Sequence, residues 1–290
     1  MPWQAAMLLQ NLFASFFAIE SRALAKKYKR AHFQILAGTF AVLYAVFLAY
    51  ALAHKDQINA TIAWQYGGLI LATSLLFAGW TVLTFITLRY VDAAIGTLYS
   101  VLNILAVAVV AWFTLGDSLS LYQLVGAVLL LLGVVIITHA RMRKSTLRRI
   151  HFALVLTIIA SILFGIAITS EKYLLTKIGM PTYAVFGEGM QFVILLILAL
   201  VYNRNEFHRY KSPKFRNKVA FLGMVRGGAG LLFVLAIVGS QNASLIGMLS
   251  GFKIVLTAIL AAIILRETSF ISRKLIAACI ACMGVGLMLW

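Results

Sequence analysis

The sequence consists almost entirely of long apolar segments separated by short polar breaks. A helix that spans a bilayer needs about 20 mostly apolar residues, and ten segments of this length follow one another. Their predicted bounds are 3–24, 32–53, 62–88, 93–115, 119–139, 151–171, 180–202, 217–240, 242–265 and 271–290. Hydrophobic residues make up 63% of the chain, well above the usual share in soluble domains. The sequence therefore predicts an all-α integral membrane protein with ten transmembrane helices.

Membrane topology explains the formal net charge of +17 better than a nucleic-acid partner does. Twenty of the 25 Lys and Arg residues lie at the odd-to-even connections between predicted spans, and only Lys55, Lys172 and Lys177 lie at the opposite ones. Positively charged connections usually stay in the cytoplasm. We therefore expect both termini outside the cytoplasm, a plasma or inner membrane location, contact with membrane lipid and no nucleic acid.

The second half of the chain repeats the first. A shift of 150 residues aligns 100–118 with 250–268, with five identical residues, and places Asp117 on Glu267. Each half then holds five predicted spans, and an odd number of spans inverts the second half in the membrane. We expect a first five-helix repeat over 1–140, a basic cytoplasmic linker over 141–150 and a second, inverted five-helix repeat over 151–290.

Each repeat carries an acidic residue between its last two spans, in "FTLGDSLSLYQLVG" and "IILRETSFISRKLI". In these motifs, and in its two five-span halves, the whole chain resembles the EamA-type members of the drug/metabolite transporter superfamily. The resemblance implies a secondary transporter with a central cavity between two pseudo-symmetric halves, working by alternating access. The chain departs from the family pattern at Ile104 and Ile254, where proline is common, and at Arg266, where glycine usually precedes the acidic residue.

Two cations, Lys253 and Arg226, lie near the middle of predicted spans. A charged side chain at that depth costs about 2.5–3.5 kcal/mol on insertion scales, so it normally faces the bundle interior or water. Ser250 lies three residues before Lys253 and Thr257 four residues after it, so the three side chains form one polar stripe on the helix. We expect this stripe to face a cavity or a partner helix.

The first repeat carries a matching polar stripe. The repeat alignment places Asn103 at the position of Lys253, with Tyr99 one turn before it. The two stripes are expected to face each other across the pseudo-twofold axis, one offering a cation and the other a neutral amide.

A buried carboxylate, Glu188, is predicted in the outer-to-middle part of span 7. It could form an ion pair with Arg226 or Lys253 that only fixes helix packing; Arg226 itself lies within Gly223-x-x-x-Gly227, a pattern that allows close helix approach. Two cations and one carboxylate leave one positive charge, and an unpaired buried charge is unfavourable. An anionic ligand or a second carboxylate is expected to complete the balance.

Two further acidic residues, Glu20 and Glu171, lie near the predicted ends of spans 1 and 6. Each has a basic neighbour in sequence, Arg22 and Lys172, so local pairs at the membrane interface are one interpretation. The alternative is a gate that closes one mouth of the cavity. Glu188, or Glu20 if it turns inward, is also a candidate for proton coupling, because burial raises the pKa of a carboxyl group.

No constellation in the sequence predicts catalysis, because the five His residues lie at helix ends or in loops without a ligand or base at suitable spacing. We expect no enzyme activity, no cofactor and no metal. The main hypothesis is a secondary transporter, a monomer or homodimer, for a small metabolite with a carboxylate or phosphate group, with a proton as candidate co-substrate. The predicted substrate-binding residues are Lys253, Arg226, Asn103, Tyr99, Ser250, Thr257 and Glu188, and the candidate gate or coupling residues are Glu20, Glu188 and Glu171.

Two alternatives remain open. The first is an amino-acid or drug exporter in which Lys253 only neutralises Glu188. The second is a membrane scaffold without transport activity, in which the polar stripes bind the helices together.

Overall fold

The computed structural model describes residues 3–99, 101–115, 120–138, 144–202, 204–239, 253–266 and 271–288. Helices dominate these residues, and no strand occurs among them. In the first half the helices are α1 (Trp3–Lys27), α2 (His32–Ala53), α3 (Ala60–Gln65), α4 (Gly67–Thr87), α5 (Ala93–Tyr99), α6 (Val101–Leu115) and α7 (Leu121–Thr138). In the second half they are α8 (Lys144–Ile178), α9 (Met180–Val201), α10 (Pro213–Gly239), α11 (Lys253–Ile264) and α12 (Ile271–Met288).

Five helices of the described residues are long and apolar enough to cross a membrane, which confirms an integral membrane protein built from helices. Predicted span 3 is not one helix, because the chain turns at Tyr66 between α3 and α4. Predicted span 9 lies partly outside the described residues. The five spans are His32–Ala53, Gly67–Thr87, Ile150–Ile178, Met180–Val201 and Pro213–Gly239.

The contacts between helices follow a twofold pattern. Helix α1, the first helix of the first repeat, packs against α10. Helix α8, the first helix of the second repeat, packs in the same way against α4. Likewise the α2–α10 contact matches the α4–α9 contact, and the α6–α8 contact matches the α1–α11 contact. The equivalent pairs α2–α9 and α7–α12 contact each other directly. This arrangement fits the predicted inverted repeat.

Helix α10 approaches α2 closely through its two glycines. A Cβ atom at Gly223 would lie 2.5 Å from the Cβ of Val42, and one at Gly227 would lie 3.1 Å from the Cγ2 of Val46. Larger side chains would push the two helices apart, so the small-residue pattern has the packing role that the sequence predicts.

Helix α8 is longer at both ends than predicted span 6. It starts at Lys144, inside the predicted linker, and runs to Ile178, seven residues beyond the predicted end at Glu171. Gly179 ends it with a φ of 75°, a conformation that residues with a side chain rarely adopt, and α9 begins at the next residue with Pro181 in its first turn. Glu171 therefore lies about two turns inside the helix, away from the interface where it was predicted.

Two apolar clusters flank the middle of the bundle. The larger one joins α1, α2, α9 and α10 through buried side chains such as Phe40, Leu43 and Val234. The smaller one joins α4, α6 and α8 through Phe77, Val107 and Ile168. Side chains from both clusters line the same cavity, so the cavity lies between them.

Candidate functional site

A cavity of about 120 Å³ lies between the two repeats. Much of its wall is apolar and aromatic. Polar side chains enter from both halves of the chain, which is typical of a ligand site in a helical bundle. They are Gln10, Asn103, Glu171, Lys172, Glu188, Gln191, Arg226 and Lys253.

A second cavity, of about 110 Å³, adjoins the first. It extends along Thr84, Phe85 and Leu88, toward the end of the bundle that holds the odd-to-even connections. The first cavity extends instead toward Glu171 and Lys172, near the opposite end. Five side chains line both cavities and so form the wall between them: Gln10, Trp80, Asn103, Arg226 and Lys253.

Arg226 lies between two aromatic rings in this wall. Its guanidinium carbon is 5.2 Å from the ring centroid of Phe17 and 5.1 Å from that of Trp80. Such cation–π contacts stabilise a cation that has been removed from water. Arg226 also interacts electrostatically with Glu188 and Glu171, although within the described residues it forms no direct ion pair with either carboxylate. The positive charge of Arg226 is therefore compensated within the cavity.

The two carboxylates of the first cavity lie near each other. Glu171 and Glu188 are both buried and interact electrostatically with each other. The hydroxyl of Tyr183, which is also buried, donates a hydrogen bond to the Glu171 carboxylate. Glu171 and Lys172 both line the first cavity, and α8 continues past them to Ile178, so they do not lie at a helix end as expected.

Lys253, in contrast, has no carboxylate beside it in the described part of the chain. The charged group that acts on it there is Arg226, which has the same sign. Its backbone carbonyl lies 3.3 Å from Ser15 Oγ, whose shorter hydrogen bond goes to the carbonyl of Asn11 at 2.8 Å, and its ammonium group forms no hydrogen bond or ion pair among those residues. The cavity wall carries three cations, Lys172, Arg226 and Lys253, against the two carboxylates Glu171 and Glu188, so one positive charge is in excess, and Lys253 is a cation with no carboxylate beside it in the described structure.

Asn103 lines the same two cavities as Lys253, so these two repeat-equivalent positions border the same space in the bundle interior. The Oδ1 atom of Asn103 accepts a hydrogen bond of 2.7 Å from Ser161 Oγ on α8. Both side chains of this pair are buried.

The remaining predicted binding residues lie elsewhere. Tyr99 and Thr257 are fully buried, but neither lines a cavity. Ser250 lies outside the described residues. Several polar or aromatic residues of the site were not predicted from the sequence. Two of them, Gln10 and Gln191, resemble Asn103 in being polar side chains inside an apolar span. The missed residues are Gln10, Trp80, Ser161, Tyr183 and Gln191.

Glu20 and Arg22 do not form the local pair considered from the sequence. Residues two apart point to different sides of a helix and cannot meet. Glu20 instead pairs with Lys218 of α10 at 3.8 Å. Arg22 pairs with Asp92 at 3.6 Å and donates a hydrogen bond to the backbone carbonyl of Leu88. These contacts tie α1 to two neighbours at the end of the bundle beyond the second cavity.

Together, the fold and the cavity define a multi-pass helical membrane protein with a polar interior site between two inverted repeats. The model of the EamA-like transporter family matches residues 1–139 and 151–290. The chain therefore belongs to the EamA-like transporter family, whose members are membrane transporters.

Solved structures support the fold. Twenty-seven chains of known structure are similar to this one. One crystal structure superposes with a TM-score of 0.68 over 98% of this chain and 96% of its own, at 14% sequence identity. No protein with a curated description matches the sequence.

Proposed function

We propose that this protein is a secondary transporter that carries a small metabolite with an anionic group, a carboxylate or phosphate, across the membrane by alternating access. The observation that carries the proposal is the surplus charge of Lys253. Its ammonium group faces a cavity between two repeats, and Arg226, its charged neighbour among the described residues, has the same sign. An isolated cation in such a place is unfavourable, and an anionic ligand would compensate it.

The ten-span architecture is part of this proposal. Besides the five long apolar helices, the chain has the shorter apolar segments Leu105–Thr114, Leu124–Gly133 and Leu275–Gly284, and the 25-residue α1. The matched helix contacts supply the argument, since the main packing contacts of α1, α2 and α4 recur for α8, α9 and α10 among the described residues. With five spans in each half and the basic connections in the cytoplasm, both termini lie outside.

The pair of cavities supports alternating access. They extend toward opposite ends of the bundle and share one wall, so a ligand held at that wall could be released to either side. Arg226, clamped by Phe17 and Trp80, occupies this wall. At the cytoplasmic end, the Glu20–Lys218 and Arg22–Asp92 pairs connect α1 to its neighbours and form the candidate gate on that side.

The carboxylates of the first cavity favour a second group on the substrate. Glu171 and Glu188 line the same cavity as Lys253 and carry the opposite charge. They could accept an amino group or a proton. A zwitterionic substrate, as in an amino-acid exporter, would use both ends. Glu171 and Glu188 are also the candidate proton-coupling residues.

The proposal is tested by the thermal stability of purified protein in a non-ionic detergent. Inorganic phosphate, succinate, glycine and choline are titrated against the wild type, Lys253→Met and Lys177→Met. A ligand that binds only the folded state raises the melting temperature. We expect phosphate or succinate to stabilise the wild type and Lys177→Met, whose lysine lies over the Tyr173 ring outside the cavity, but not Lys253→Met.

If no anion stabilises the wild type, or if Lys253→Met responds as the wild type does, the proposed substrate class is wrong. Uptake of the stabilising anion into proteoliposomes then tests transport itself. A scaffold without transport activity predicts that cysteines placed at positions 103 and 253 are shielded from water-soluble thiol reagents. The free cysteines Cys279 and Cys282 are replaced by serine for this assay.

A further inference from the structure

A serine on the first helix of each repeat lies beside one of the two polar positions, but the two serines make different bonds. Ser161 on α8, the first helix of the second repeat, donates to the side chain of Asn103 at 2.7 Å. Ser15 on α1, the first helix of the first repeat, donates to the backbone carbonyl of Asn11 at 2.8 Å, and the carbonyl of Lys253 lies 3.3 Å from the same Oγ. One serine thus fixes a side chain of the site, whereas the other contacts only backbone carbonyls and does not hold the ammonium group of Lys253.

The hydrogen bond from Ser161 determines which polar group of the Asn103 side chain can bind a ligand. Because the Oδ1 atom accepts from Ser161, the Nδ2 group retains its hydrogens as donors. Asn103 lines both cavities, as Lys253 does. The cavity wall therefore presents two kinds of donor, an amide N–H and an ammonium group, at repeat-equivalent positions.

We propose that Ser161 is a positioning residue for substrate recognition: it holds the Asn103 amide as a donor, so that Asn103 and Lys253 bind the same anionic group. This inference rests on the proposed function and deepens it, since it adds a neutral donor from the first repeat to the cation of the second. A carboxylate or phosphate has several acceptor oxygens and can accept from both at once.

The test compares four variants: Asn103→Asp, Ser161→Ala, Ser161→Thr and Ser15→Ala. Asn103→Asp keeps an acceptor for Ser161 and nearly the same shape but replaces the donor that faces the cavity with a carboxylate oxygen. Ser15→Ala is the matched control, because it removes a buried serine hydroxyl that contacts only the backbone carbonyls of Asn11 and Lys253 and no side chain of the site. The apparent Kd for inorganic phosphate and for succinate is taken from the concentration dependence of the melting temperature, and KM and kcat for uptake are measured in proteoliposomes.

We expect Asn103→Asp to weaken anion binding by at least about tenfold, because an anion now meets a like charge. Ser161→Ala should raise Kd and KM about three- to tenfold with little change in kcat, the range for one lost hydrogen bond. Ser161→Thr keeps the hydroxyl and should restore most of the affinity. Ser15→Ala should lower the melting temperature of the free protein as Ser161→Ala does, yet bind the anions as the wild type does.

A purely structural role for Ser161 predicts a different result, in which the two serine variants lose stability alike and neither changes Kd. If Lys253→Met no longer responds to the anions while Asn103→Asp and Ser161→Ala bind them normally, this inference is overturned and the proposed function stands. If neither phosphate nor succinate binds the wild type, both are overturned.

Discussion

The surroundings of the two cations Arg226 and Lys253 differ although both side chains line the same wall and both are partly exposed to the cavities. Arg226 lies between the rings of Phe17 and Trp80, and both cavity carboxylates act on it. Lys253 has an amide residue in the facing repeat and a like charge as its charged neighbour among the described residues. The compensated cation belongs to the structure of the protein, and the uncompensated one is suited to a ligand.

This difference shows why the number of charged residues in a span is a weak guide to function. The cost of a buried charge depends on whether its partners remain bound to it when the site is empty. Arg226 keeps its partners, so removing it would leave two carboxylates in apolar surroundings. Lys253 lacks such a partner in the described structure, so removing it relieves a repulsion.

The largest expected effect is the loss of stability in Arg226→Met. The variant leaves Glu171 and Glu188 without their cation and should lower the free energy of unfolding by about 3 kcal/mol, as for other broken buried pairs. Lys253→Met should leave it unchanged or raise it. Titration of both variants from mild detergent into SDS measures the difference, and equal losses would remove the distinction between the two cations.

The second prediction concerns which cation is coupled to Glu188. In a double-mutant cycle, Arg226→Met with Glu188→Gln should recover about 1–2 kcal/mol relative to the sum of the single changes, because the two charges interact electrostatically across the cavity. Lys253→Met with Glu188→Gln should be additive. Coupling between Lys253 and Glu188 instead would support the alternative in which the lysine only neutralises that carboxylate.

Much of the fold could be predicted from the sequence, because membrane helices can be recognised by the length and hydrophobicity of their segments. The inverted repeat could also be predicted from the sequence. So could the placement of Asn103 and Lys253 on the same cavities, since repeat-equivalent positions on inner helices converge on one axis. The packing of Gly223 and Gly227 against α2 was visible in their spacing.

The rest of the site depended on tertiary contacts. Glu171 was placed at a helix end because a charged pair usually marks the membrane interface, but α8 continues to Ile178. The partners of Arg22 and Glu20 are distant in sequence, at Asp92 and Lys218, and no periodicity within α1 indicates them. The hydrogen bond from Ser161 to Asn103 could not be predicted either, because the two residues are distant in sequence.

The third prediction removes the aromatic clamp of Arg226. Trp80→Leu and Phe17→Leu keep an apolar side chain but lose the ring face, so each should lower the free energy of unfolding by about 1 kcal/mol through the lost cation–π contact. In an Arg226→Met background the same changes should have less effect. Phe233→Leu is the control, since this ring lines the first cavity and makes no cation–π contact with Arg226. Equal losses in both backgrounds would mean that the rings act only by packing.

The smallest effect is expected at the end of α1, where the cation that pairs with Glu20 is largely exposed to water. The Lys218 side chain is 52% exposed, so Lys218→Gln should change the free energy of unfolding by no more than about 0.5 kcal/mol, and salt should weaken the effect further. Asp92→Asn should have a larger effect, about 1 kcal/mol, because the Arg22 side chain that it leaves behind is only 10% exposed. Unfolding at low and high salt measures both. If Lys218→Gln proves as harmful as Arg226→Met, exposure to water does not reduce the cost of losing a cation, and the loss in Arg226→Met is not explained by its place in the bundle interior.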